Sequence, residues 1–176
     1  MNLPNKLTTL RMILVPVFII VYLTGYHYVS AVIFIAASLT DFLDGHLARK
    51  YDLVTNFGKI MDPLADKLLV TSAFVCMVQE GIVAGWMVIV ILAREFAITG
   101  LRSVAASEGI VIAAAWSGKI KTVTQMIAII FLLIGNWPFS LISFPFDRIM
   151  LWIAVIMTVY SGVEYLYKSR ELFRSR

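Results

Sequence analysis

Cysteine and histidine are scarce in this sequence: Cys76 is the lone cysteine, and His27 and His46 are the two histidines among 176 residues. A single thiol forms no internal disulfide, and these three side chains do not make up the four-ligand set of a structural zinc site. Cys76 lies in an apolar run and reads as a small buried hydrophobe. Charge is scarce as well. Charged residues make up 15% of the chain and hydrophobic ones 60%, with a mean hydropathy of +0.87. Soluble chains carry about 25% charged residues, so this one uses lipid as part of its solvent. Six spans of about 20 residues would take roughly 120 positions and leave about 56 for ends and loops. That arithmetic excludes a secreted disulfide scaffold, a nucleic-acid-binding domain built on a basic surface, and a membrane-anchored soluble enzyme.

What is present is a series of continuous apolar runs, at about 10–24, 29–48, 63–79, 84–106, 118–135 and 147–167. A transmembrane barrel would show segments alternating apolar and polar, whereas Ile127–Ile134 is unbroken, so helices are expected. The fold class is therefore an all-α integral membrane protein with six transmembrane helices, an N-terminal interfacial helix and a cytoplasmic-side polar cavity, forming one membrane-embedded domain over residues 1–176. The first run follows Lys6 and Arg11 and has no small-residue cleavage site at its end, which marks it as a retained helix. Fourteen of the 15 basic residues fall on one side of the six spans, and Arg148 alone falls on the other. The positive-inside rule puts both termini and the two charged connections in the cytoplasm of a multi-pass cell-membrane protein. The net charge of +4 thus reflects topology and contact with anionic lipid, and nucleic acid is not an expected partner. Trp137 and its Phe neighbours suit an interfacial belt on the opposite side.

Acidic side chains at membrane depth cost a few kcal/mol on insertion scales, so they call for a partner or a task. Asp41 and Asp44 are three apart and share a face at the cytoplasmic end of span two. Asp62 and Asp66 are four apart and share a face at the start of span three. Pro63 suits a first helical turn and predicts a helix start near Asp62. A short connection, roughly 50–61, would make the two helices antiparallel neighbours with their acidic faces at one cavity. Four carboxylates gathered there raise one another's pKa values and call for cations. Two divalent ions would balance them, and hard oxygen ligands favour Mg²⁺ or Mn²⁺ over zinc. Such ion pairs clamp phosphoryl groups during in-line displacement. Gly45, Ala48 and Gly58 remove bulk near the acids, which suits either a close-lying phosphate or close helix packing.

Asp41-Phe-Leu-Asp44-Gly45-His-Leu-Ala48-Arg49, eight residues to Gly58, three to Asp62 and three to Asp66 resembles the signature of the CDP-alcohol phosphotransferase family. All eight fixed positions are filled, an accidental expectation on the order of 10⁻⁸. The resemblance implies a homodimeric integral membrane enzyme that displaces CMP from a CDP-linked donor with an alcohol. It assigns Asp41, Asp44 and Asp62 to metal binding, and Asp66 to metal contact and to deprotonation of the attacking hydroxyl. It assigns Gly45, Ala48, Arg49 and Gly58 to the cytidine and pyrophosphate. Asn5, Thr8 and Arg11 resemble an N-terminal element that the family places beside the same site; an amphipathic helix start with an interfacial Arg is an equal reading.

The acceptor site is read from the basic residues. Arg94 and Arg102 are eight apart, Glu95 adjoins the first, and Lys119 and Lys121 open the next span. Four basic groups at the ends of two helices make a pocket for a phosphomonoester dianion, or they are ordinary flanking charge. Ala93-Arg94-Glu95 and Gly118-Lys119-Ile-Lys121-Thr122 are similar to the branch of the family that joins CDP-diacylglycerol to glycerol 3-phosphate. Rival readings are the same chemistry with serine, inositol, inositol phosphate or phosphatidylglycerol as acceptor, a divalent-metal or proton transporter, and a lipid-binding scaffold. Four clustered acids count against the scaffold. The near absence of charge on the distal half counts against transport.

Overall fold

The structure is a computed structural model. It describes the backbone of residues 3–50, 56–107, 109–110, 112–113 and 115–174, and the side chains of these except 3–6, 41–50, 56–60, 62–63, 66 and 171–174. Within that range the chain forms six α-helices and no strand: α1 (Leu3–Leu23), α2 (His27–Lys50), α3 (Asn56–Gln79), α4 (Gly85–Ser107), α5 (Trp116–Leu133) and α6 (Phe146–Arg174). A short 3₁₀ helix, Phe139–Ile142, sits in the connection before α6. Each apolar run of the sequence lies largely within one helix.

Two boundaries differ from the expectation. α3 begins at Asn56, six residues before Asp62, so position 63 lies inside the helix and the connection from α2 is shorter than 50–61. Phe57, Ile60, Met61 and Leu64 repeat at helical spacing, and that periodicity outweighs the single backbone hydrogen bond lost at a proline. The N-terminal element is not a separate interfacial helix. It forms the first turns of α1, which runs unbroken through Pro16.

On the end opposite the acid-bearing segments the turns are tight. α1 closes with Gly25 at φ +86°; the Gly25 amide bonds to the Tyr22 carbonyl at 2.9 Å and the Tyr26 amide to that of Val21 at 3.3 Å. α3 ends in the same Schellman pattern at Gly81, with φ +72°. Tyr22 donates to Glu80 at 2.7 Å, and the His27 ring meets Tyr22 edge-on at 4.9 Å, so His27 packs as an aromatic. Asp147 and Arg148 pair at 3.8 Å.

The interior holds small and polar residues along with aromatics. Ala31, Ala37, Ala73, Ala128 and Ala154 are at most 2% exposed, whereas Val32, Ile89, Phe96 and Ile156 are each at least 60% exposed. Alanines at the contacts let helix backbones approach closely, and large apolar side chains point outward, as expected of a bundle solvated by lipid. α5 packs most extensively on α6, and α1 on α2 and α3. Gln125 donates to Thr158 at 3.0 Å inside the α5–α6 contact. Among the described residues Phe146–Arg170 is the one helix long and apolar enough to cross a membrane by itself; Leu7–Leu23, His27–Thr40 and Lys67–Gln79 are shorter apolar stretches. Cys76 is buried, as its apolar run implies.

Candidate functional site

The middle of α2, the middle and C-terminal part of α4, the C-terminal half of α6 and the N-terminal halves of α3 and α5 meet toward one end of the bundle, as up-down alternation requires. There they line a cleft of about 460 Å³ whose wall includes Ser38, Lys67, Arg94, Glu95, Arg102, Lys119, Lys121 and Tyr165. Among the described residues five cations therefore face one carboxylate in this wall, an arrangement suited to an anionic guest. The expected basic group is thus gathered in one place. A smaller void of about 50 Å³ shares Lys67, Glu95, Lys121 and Thr122 with the cleft and is lined as well by Thr71, Gln125 and the apolar Val70, Phe74, Val88, Ile91 and Leu92. Its apolar side chains belong to or pack on the hydrophobic core.

Glu95 lies between two of the cations. Its Oε1 accepts from Arg94 Nη1 at 3.1 Å and from Lys121 Nζ at 2.5 Å. The side chains of Arg94, Glu95 and Lys121 are 11%, 16% and 6% exposed, so this triad is largely shielded from water and its charges hold one another. Lys67 reaches Thr99 on α4, and Thr99 donates to the Glu95 carbonyl at 2.6 Å. Lys119 behaves differently. It is exposed, and its ammonium lies 5.0 Å from the centre of the Trp116 ring.

The acidic segments adjoin this cleft. Asp41 and Asp44 lie on α2, and Asp62 and Asp66 on α3; Ser38 and Lys67 of the cleft wall are three residues before Asp41 and directly after Asp66. The side chains of those four acids, and of Asn5, Gly45, Ala48, Arg49 and Gly58, lie outside the described residues. Thr8 and Arg11, one turn apart on α1, are fully buried. Full burial sets Arg11 apart from an interfacial arginine, whose head would reach water.

Tyr165 and Lys67 are cleft residues that sequence reasoning missed. Lys67, directly after Asp66, entered only as one of the 14 basic residues on the side assigned to the cytoplasm. Tyr165 carries a signal that was available: Thr158, Ser161, Gly162, Tyr165 and Ser169 recur at helical spacing through an apolar span, and all five are buried. Such a stripe marks the face of α6 turned toward the bundle.

The sequence matches the family model described as CDP-alcohol phosphatidyltransferase over residues 1–160. A CDP-diacylglycerol–glycerol-3-phosphate 3-phosphatidyltransferase of Bacillus subtilis strain 168 is 50% identical over 189 aligned positions, covering 99% of this chain and 98% of its own. Proteins of the same description from Rickettsia felis and Salmonella paratyphi A are 37% and 36% identical. They cover 98% and 96% of this chain, and 97% and 95% of their own.

Proposed function

The chain belongs to the CDP-alcohol phosphatidyltransferase family, and from that premise we propose that it transfers the phosphatidyl group of CDP-diacylglycerol to sn-glycerol 3-phosphate, giving phosphatidylglycerolphosphate and CMP. The glycerol 1-hydroxyl attacks the phosphorus that carries diacylglycerol. A bond forms from that oxygen to phosphorus, and the bond from phosphorus to the bridging oxygen breaks. CMP leaves with the electron pair, and the hydroxyl proton passes to Asp66.

The observation that carries this reading is the basic cleft set against the acid-bearing ends of α2 and α3. Arg94, Arg102, Lys119 and Lys121 match a phosphomonoester dianion, and Arg offers it a bidentate fork. Serine or inositol would bring no phosphate dianion to these cations, of which Glu95 offsets only part of the charge. Glu95 has a different part from the one its position in the sequence suggested. A carboxylate repels a phosphate, so Glu95 orients Arg94 and Lys121 and leaves the contact to them.

Asp41, Asp44, Asp62 and Asp66 are hard oxygen donors at i,i+3 and i,i+4 spacing on two helices that pack on each other, a donor set that fits Mg²⁺ or Mn²⁺. Two divalent ions bound there would stabilise negative charge on the phosphoryl oxygens. Gly45, Ala48, Arg49 and Gly58 would receive the cytidine and pyrophosphate, with Asn5, Thr8 and Arg11 beside them.

In this reading the six helices all span the cell membrane as one domain, both termini are cytoplasmic, and the lipid chains enter sideways between helices. Support comes from the bias of basic residues and from the outward-facing apolar side chains. A homodimer follows from the family resemblance. The deciding experiment supplies purified protein with Mg²⁺, labelled CDP-diacylglycerol and a panel of alcohols, and follows CMP. Release with glycerol 3-phosphate alone is the expected result; release only with another alcohol, or with none, overturns the reading.

A further inference from the structure

Tyr165 is 4% exposed, and its hydroxyl is fully engaged. Arg102 Nη2 donates to it at 2.7 Å, and the Ala115 amide donates to it at 2.7 Å. Its own proton faces the Ala113 carbonyl at 3.4 Å. A phenol offers one donor and two acceptor sites, so these three partners leave nothing over for a substrate. The ring serves a second purpose. The guanidinium carbons of Arg94 and Arg102 lie 5.4 Å and 5.2 Å from its centre, both within cation–π range. Two guanidiniums repel each other, and one ring attracts both.

Two glycines adjoin this unit, and at Gly162 the approach is close. A Cβ at Gly162 would stand 3.1 Å from Arg94 Cγ, tight enough to shift the arginine stem by a few tenths of an ångström, whereas one at Gly118 would make ordinary contact with Tyr165 Cε2 at 3.5 Å and Arg94 Nη2 at 3.6 Å. Tyr165 thus joins three elements: α6, which carries it, α4 through both arginines, and the chain entering α5 through residues 113 and 115.

We propose that Tyr165 is a positioning residue for the acceptor phosphate: its ring and hydroxyl set the spacing of Arg94 and Arg102 and fasten the entry to α5 over the cleft. The proposal rests on the acceptor reading above and adds the group that pre-organises it. A pair of long side chains held before binding loses less freedom when the anion arrives, so the benefit falls on acceptor affinity.

The test measures steady-state kinetics for both substrates with wild type, Tyr165→Phe, Arg102→Ala and the double variant. Tyr165→Phe keeps the ring and removes the hydroxyl; the expected result is a rise in KM for glycerol 3-phosphate of about tenfold, with kcat and KM for CDP-diacylglycerol within about twofold. The two losses are expected to be clearly less than additive in the double variant, because part of the hydroxyl's effect runs through that arginine and part through the Ala115 amide. An unchanged acceptor KM in Tyr165→Phe, equal losses for both substrates, or additive effects in the double variant would overturn the proposal. An unchanged acceptor KM in Arg102→Ala would overturn the acceptor reading itself and the proposal with it. Gly162→Ala gives a route that does not alter the tyrosine: alanine favours helix, so folding is retained, while its Cβ moves Arg94 away from the ring. Here the acceptor KM rises about threefold or more with the melting temperature undiminished, and an unchanged KM counts against the proposal.

Discussion

Glu95 on α4 and Lys121 on α5 form an ion pair of 2.5 Å across 26 residues of sequence. α4 and α5 make few other close contacts, and α4 rests mainly on α6, so this pair is a principal tie between the two walls of the basic cleft. It fixes the position of one cation, and through the second hydrogen bond to Arg94 it fixes another.

Removing the carboxylate leaves two largely buried cations facing each other. Glu95→Ala is expected to destabilise the protein by about 2 kcal/mol or more, read as a fall of several degrees in the melting temperature of the detergent-solubilised protein. An undiminished melting temperature would deny Glu95 its orienting role.

Asp66→Asn removes the proposed proton acceptor while nearly preserving shape. Turnover is expected to fall by about 10³-fold or more, with the melting temperature close to wild type. Near-normal CMP release at saturating Mg²⁺ would reject the general-base assignment.

Orientation can be read with thiol chemistry, because Cys76 is buried and gives little background. Ser140, in the 3₁₀ connection, and Ser107, at the end of α4, are both exposed and lie at opposite ends of the bundle. In intact cells a membrane-impermeant maleimide is expected to label Ser140→Cys, and to label Ser107→Cys only after permeabilisation. The reverse pattern would invert the topology.

The helices were legible because lipid imposes continuous apolar runs, and such runs survive without knowledge of their neighbours. The start of α3 was misread because Pro63 was given more weight than the spacing of Phe57, Ile60, Met61 and Leu64. Four of the five basic residues described in the cleft wall were legible as a group, since Arg94, Arg102 and Lys121 interrupt or open apolar spans and Lys119 adjoins the last. Their connections were not. Tyr165 meets Arg102 across 63 residues and Ala115 across 50, and no local pattern encodes such a meeting. The burial of Arg11 is likewise a property of the packed bundle, invisible in an N-terminal stretch that could equally have been a surface helix.

The core next to the cleft bears on the energetics of the cell. There Phe18, Phe34, Phe74, Met77 and Ile129 are fully buried. An electrical potential across a membrane changes the energy of each charge that crosses by about 2.3 kcal/mol per 100 mV, so any continuous polar path would drain it. Here highly charged reactants would be handled at one end of a helical bundle whose core is packed with aromatic and aliphatic side chains. Such a bundle can work on ionic cargo in an energised membrane without short-circuiting it.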